Sequence, residues 1–84
     1  MSASETTILI IDDEKHNIDS LSLVLTKENF KVITAMNAEE ALEVIRNHHI
    51  HLAITDFKMP GMDGIELLKA TRSISPKVEF IVVT

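Results

Sequence analysis

The sequence of 84 residues has no cysteine, tryptophan or tyrosine, and only two glycines and two prolines. The absence of cysteine excludes disulfide bonds and is typical of a protein from a reducing compartment. No apolar run approaches the length of a membrane span, and residues 1–5 lack the character of a secretion signal. Its three phenylalanines form no aromatic stripe that would indicate a cofactor site. We therefore expect a cytoplasmic protein without a membrane partner.

Positive charge is also scarce, since 8 lysines and arginines stand against 13 acidic residues and give a net charge of −5. A general nucleic-acid surface needs a basic excess, so we expect no direct contact with nucleic acid. Hydrophobic residues make up 45% of the chain, which is enough for the core of one small domain. We expect residues 1–6 to be a disordered lead-in and residues 7–84 to form the domain.

The spacing of apolar residues alternates along the chain between the pattern of a strand and the pattern of a helix. Short runs rich in β-branched residues predict strands at 8–11, 30–35, 52–56 and 78–84, and apolar positions at helical spacing predict a helix in each interval. Asn29 is a candidate end for the first helix, and Asn37 with Glu40 has the spacing of a capping box for the second. Lys31 in the second strand suits a sheet edge. This alternation predicts a parallel sheet with helices on both faces.

Acidic and hydroxyl residues stand at three strand ends. Asp12 and Asp13 follow the first strand, while Asp56 and Thr84 end the third and fourth. Parallel strands end at the same edge of a sheet, so we expect these residues to meet there. Clustered carboxylates repel one another and favour a cation, and a ligand set of oxygens alone suits Mg²⁺ or Mn²⁺. One carboxylate would then be free to attack phosphorus, and the hydroxyl of Thr84 could donate to a phosphoryl oxygen.

Both glycines and one proline of the chain lie in the stretch that follows Asp56, which reads Met59-Pro60-Gly61-Met62-Asp63-Gly64. With this stretch, the acidic pair and the fourth strand ending in Thr84, the chain resembles the receiver domain of bacterial two-component response regulators. The resemblance covers nearly the whole chain. It implies a flavodoxin-like (CheY-like) three-layer α/β/α fold with strand order 2-1-3-4. The final helix–strand–helix segment of the family, which carries a lysine, has no counterpart, so we expect a truncated receiver.

The resemblance also implies roles for single residues. Asp56 would accept a phosphoryl group from a sensor histidine kinase or a phosphotransfer protein, and Thr84 would be the switch hydroxyl. Asp13 and Asp56 would bind Mg²⁺ directly, Asp12 would bind it through water, and the backbone carbonyl of Lys58 would complete the protein ligands. The stretch after Asp56 looks most like receivers attached to transcription activators. An output domain of that kind is therefore implied.

Two other functions remain open. A Mg²⁺-dependent phosphohydrolase also clusters acids at strand ends, although that class usually separates its first two acids by one residue. The chain could also be an interaction module that is never phosphorylated. An unpaired fourth strand, with only Glu79 as a nearby charge, predicts a homodimer through that edge or by exchange of a segment.

Simpler roles are also open for several polar residues. Asp12 and Asp13 could merely cap the first helix, and Asp63 is expected to cap the third rather than bind metal. Three histidines lie close together in the sequence, at positions 48, 49 and 51. We interpret them as a solvated helix end, where histidine suits the helix dipole, rather than as a metal site.

Overall fold

Four strands and three helices alternate along the chain in the computed structural model, which describes residues 6–56 and 64–83. The strands are β1 (Thr7–Ile11), β2 (Lys31–Ala35), β3 (Leu52–Asp56) and β4 (Glu79–Val83), and the helices are α1 (Lys15–Lys27), α2 (Ala38–Asn47) and α3 (Gly64–Ile74). All strand pairs are parallel and the order is β2-β1-β3-β4. The predicted flavodoxin-like topology is confirmed.

The central strand β1 is buried on both faces, as its uninterrupted apolar run predicts. Ile8 and Ile10 pack with Ile18 of α1 on one side of the sheet. Leu9 and Ile11 belong to the larger core on the other side, with residues of α2 and α3. Because successive side chains of a strand point to opposite faces, one strand of five residues joins both halves of the core.

Helix α1 ends where the asparagine signal predicts. Asn29 has a φ of 69°, in the left-handed region that asparagine tolerates better than most residues. The backbone N–H of Asn29 donates to the carbonyl of Thr26 at 3.0 Å, and that of Phe30 donates to the carbonyl of Leu25 at 3.1 Å. These two bonds form a Schellman motif, which stops the helix and turns the chain toward β2.

Helix α2 begins with a variant of the predicted capping box. The side chain of Asn37 accepts from the backbone N–H of Glu40 at 2.8 Å, as predicted. The carboxylate of Glu40 reaches back to the N–H of Met36 at 3.0 Å, one residue before the usual partner. Both bonds satisfy donors at the start of the helix and fix its entry from β2.

Burial on the α1 side of the sheet decreases from the centre toward β4. Ile10, Ile54 and Ile81 lie in register across three strands, and their exposure rises from 2% for Ile10 to 48% for Ile81. Strand β3 is therefore fully buried on only one face, through Ala53 and Thr55. The apolar run that precedes Asp56 predicts a buried strand, so this expectation is corrected. The cause is that α1 packs over β1 and β2 and leaves β4 uncovered within the described residues.

Candidate functional site

Three carboxylates meet at the carboxyl end of the sheet, as the strand assignments predict. Asp12, Asp13 and Asp56 each offer one oxygen, and these oxygens lie within 4.8 Å of one another. The parallel register sets Ile11 beside Thr55, so the chain leaves β1 and β3 at the same level. Asp13 is exposed, and the other two are half-buried. The acidic pair follows β1, where strand alternation no longer separates neighbours, so both of its members reach Asp56.

Asp12 is held by the start of α1. Its Oδ1 accepts from the backbone N–H of Glu14 at 2.9 Å, and its Oδ2 accepts from Nδ2 of Asn17 at 3.3 Å. The N-cap position belongs to Glu14, whose side chain makes no capping bond. The capping alternative thus holds in part for Asp12, whose carboxylate satisfies one donor of the first turn. The side chain of Asp13 has no hydrogen-bond or ion-pair partner among the described residues.

The backbone of Asp56 belongs to the sheet. The residue is the last of β3, and its register partner in β4 is Val83. The preceding Thr55 is 1% exposed, and its hydroxyl donates to the carbonyl of Asp56 at 3.1 Å. Side-chain partners of the Asp56 carboxylate are absent within residues 6–56 and 64–83. The structure therefore fixes the backbone of Asp56 and leaves its carboxylate available.

An open cleft of about 420 Å³ adjoins the carboxylates. Its lining combines polar groups from the strand ends with apolar side chains from the uncovered sheet face: Ile10, Ile11, Asp12, Asn17, Leu21, Ile54, Thr55, Asp56 and Val83. The cleft has room for a phosphoryl group beside Asp56. Sequence reasoning missed Asn17 as part of it, although a polar residue in the first turn after the acidic pair was the available signal.

The donor set fits a hard divalent cation. The three ligand atoms of the cluster are carboxylate oxygens, and neither histidine nor cysteine joins the group in the part of the chain that the structure describes. Oxygen donors of this kind suit Mg²⁺ or Mn²⁺ better than zinc. The two remaining predicted site groups, the carbonyl of Lys58 and the hydroxyl of Thr84, lie outside the described residues, as does Asp63.

The histidines at positions 48, 49 and 51 lie away from the carboxylates, at the edge of the sheet where the strands begin. The backbone of His51 bonds there to the first residues of β1 and β4. His48 and His49 are exposed at the end of α2, which agrees with a solvated helix end. His51 is half-buried, and its Nδ1 accepts from the backbone N–H of Thr7 at 3.0 Å. The Nδ1 atom of His51 is thus engaged by the backbone of β1. This bond links the residue that precedes β3 to the first residue of β1.

The fold and the site together define a doubly wound α/β protein with three carboxylates clustered at the strand ends. The chain matches the family model of the response regulator receiver domain over residues 8–84. It therefore belongs to the receiver domain family of response regulators.

Known relatives extend this comparison. The chain is 41% identical over 80 residues to the uncharacterized transcriptional regulatory protein YesN of Bacillus subtilis, covering 92% of this chain and 22% of the relative. A CheY-like receiver domain from Methanospirillum hungatei has a TM-score of 0.90 and 38% identity, with 94% of this chain and 63% of that chain covered. The response regulator TrrA from Thermotoga maritima, solved with Mg²⁺ and BeF, has a TM-score of 0.86 and 32% identity, with 92% and 67% covered. The chain thus spans less than two thirds of the first two proteins.

None of the helices in the described part of the chain combines the length and the apolar character that crossing a bilayer requires.

Proposed function

We propose that this chain is a receiver module that accepts a phosphoryl group on Asp56, from the phosphohistidine of a sensor histidine kinase or a phosphotransfer protein. One observation carries the proposal: the carboxylate oxygens of Asp12, Asp13 and Asp56 lie within 4.8 Å of one another at the ends of adjacent strands. Within the described residues, the cleft beside them leaves Asp56 accessible. Membership of the receiver family supports the same assignment.

The surroundings of the three carboxylates suggest different roles. An oxygen of Asp56 attacks phosphorus, the P–N bond of the phosphohistidine breaks, and the imidazole leaves with the electron pair and takes up a proton. The acyl phosphate remains on Asp56.

Asp13 is exposed and unpaired among the described residues, which suits a direct ligand of the metal ion. Asp12 already accepts two hydrogen bonds, which suits contact with the ion through water.

A bound Mg²⁺ would offset two of the three negative charges of the acidic cluster and draw a phosphoryl oxygen toward it. TrrA, the relative solved with Mg²⁺ and BeF, supports this assignment of the ion. From the family resemblance, the carbonyl of Lys58 would join the ligands, and the hydroxyl of Thr84 would bind the phosphoryl group after transfer.

We also propose that the module belongs to a longer cytoplasmic protein whose output is transcriptional control. The support is the likeness to YesN, a transcriptional regulatory protein of which this chain spans 22%.

The function is tested by incubating the chain with Mg²⁺ and either radiolabelled acetyl phosphate or a phosphorylated histidine kinase. We expect uptake of one phosphoryl group, in a bond that hydroxylamine cleaves as it does an acyl phosphate. Steady release of inorganic phosphate from phosphate monoesters, without labelled protein, would instead support a phosphohydrolase. A folded chain that takes up no label from either donor would contradict phosphoryl acceptance. The interaction module would then be the remaining candidate function.

Mg²⁺ should raise the stability of the chain, because the ion binds the native carboxylate cluster and not the unfolded chain. At a concentration ten times Kd the gain should be about 1.4 kcal/mol. Asp13→Ala should abolish the gain, while Glu43→Ala should keep it, since Glu43 is exposed on α2 and lies outside the cleft. Thermal melts with and without Mg²⁺ measure this, and an equal shift in both variants would rule out Asp13 as a ligand.

We further propose that two copies of the chain associate through β4. Its outer side pairs with no described strand, and Ile81 and Val83 are 48% and 51% exposed. Antiparallel pairing about a two-fold axis at Ile81 would set Glu79 beside Val83, so no like charges would meet. Sedimentation equilibrium should show a dimer, by edge pairing or by segment exchange, and Ile81→Lys should weaken it. A stable monomer at tens of micromolar would contradict this.

A further inference from the structure

The side chain of Asn17 connects the first turn of α1 to the carboxylate site. Its Nδ2 donates to Oδ2 of Asp12 at 3.3 Å, and the residue lines the cleft that also contains Asp56. We infer that Asn17 is a positioning residue for the cation site, which holds the carboxylate of Asp12 in the orientation that receives Mg²⁺ through water. This inference rests on the proposed function, since it assigns a role within the same site.

Two hydrogen bonds are needed to fix a carboxylate plane. The bond from the N–H of Glu14 to Oδ1 of Asp12 restrains one oxygen, but it still allows rotation about the Cβ–Cγ bond, whose torsional preference is broad. The bond from Asn17 restrains the second oxygen. Asn17 is the only side chain of the described residues that donates to Asp12. A carboxylate held in advance loses less freedom when the ion and its water shell arrive.

An amide suits this position because it donates without adding charge. A cation at residue 17 would compete with Mg²⁺ for Asp12, and another carboxylate would add repulsion to the cluster. The nearby cation of the same helix turn, Lys15, is directed away, since its Nζ bonds to Asp19 at 2.8 Å. The start of α1 thus offers the acidic cluster a neutral donor while its lysine is engaged elsewhere.

The test is the Mg²⁺ affinity of three variants, read from chemical-shift titrations of backbone amides. The chain contains no tryptophan or tyrosine, so NMR replaces a fluorescence titration. Asn17→Ala should raise the Kd for Mg²⁺ by about 3- to 10-fold. Loss of an outer-sphere partner of a metal ligand typically costs about 10- to 100-fold in affinity. The effect should be smaller here because the bond from Asn17 to Asp12 is long and exposed. Asn17→Gln retains the amide donor and should recover most of the wild-type affinity.

Asn47→Ala is the matched control. Nδ2 of Asn47 donates to the carboxylate of Glu43 at 3.1 Å, the same pair of groups on an exposed helix, but outside the residues of the cleft. Its Kd for Mg²⁺ should equal that of the wild type. Asn17→Ala should also fold, because residue 17 is exposed and alanine favours helix more than asparagine does.

The outcomes separate this inference from the proposed function. If the wild-type chain shows no Mg²⁺-dependent shifts at millimolar concentrations, the cation site and the proposed function are both contradicted. If the wild type binds Mg²⁺ and Asn17→Ala binds it equally well, only the positioning role is overturned. Failure of Asn17→Gln to recover affinity, with Asn17→Ala impaired, would also overturn it, because the amide donor would then not be the group that matters.

Discussion

Replacing Asp56 with asparagine should abolish phosphoryl uptake and leave the fold intact. The amide keeps the size and shape of the carboxylate but is not a nucleophile at phosphorus, so labelling should fall to background. Asp56 is half-buried at the end of β3, and its side chain has no described partner whose bond the change would break. Stability without metal should not fall, because the substitution removes one of three neighbouring negative charges.

The measurement is the intact mass of the protein after incubation with acetyl phosphate or a phosphorylated kinase. Glu43→Gln is the matched control, since it makes the same carboxylate-to-amide change on the surface of α2, where Glu43 bonds to Asn47 outside the cleft. The control should gain the mass of one phosphoryl group, as the wild type should. Undiminished labelling of Asp56→Asn would show that another residue is the acceptor.

The second large effect is expected in the core. Leu9 has no exposed surface and lies in the central strand, facing the cluster that contains Ala41 of α2 and Leu67 of α3. Leu9→Ala should lower the free energy of unfolding by about 2–5 kcal/mol, from lost apolar burial and the cavity left behind. Small domains have only about 5–15 kcal/mol in total, so the variant should be partly unfolded at moderate temperature.

Urea denaturation measures this loss, with Leu23→Ala as the control. Leu23 is 59% exposed on α1, so its truncation should change the free energy of unfolding by less than about 0.5 kcal/mol. Similar losses in the two variants would mean that the core is not centred on β1.

The alternation of strands and helices and the acidic cluster were predictable from strand assignments, whereas the strand order 2-1-3-4 came from the resemblance to the receiver family. The apolar run of β1 and the helical spacing that follows it predict the alternation, and parallel strands bring Asp12, Asp13 and Asp56 to one edge of the sheet whatever their rotamers. The end of α1 at Asn29 was also predictable, since its cause is local backbone conformation.

Features that depend on contacts between distant segments were not predictable. The bond from Thr7 to His51 joins residues that are 44 apart in sequence and requires the register of β1 with β3. The half-exposed face of β3 depends on which strands α1 covers, and single-strand patterns do not encode that. The contact of Asn17 with Asp12 depends on side-chain rotamers, which a spacing rule leaves open.

The central claim is that Asp56 accepts the phosphoryl group, and direct chemical mapping tests it. The chain is phosphorylated with Mg²⁺ present and treated with borohydride, which reduces an aspartyl phosphate to homoserine, and its peptides are sequenced by mass spectrometry. We predict homoserine at position 56 and at no other position. Homoserine at position 12 or 13, or its absence from a chain that has taken up label, would contradict the account.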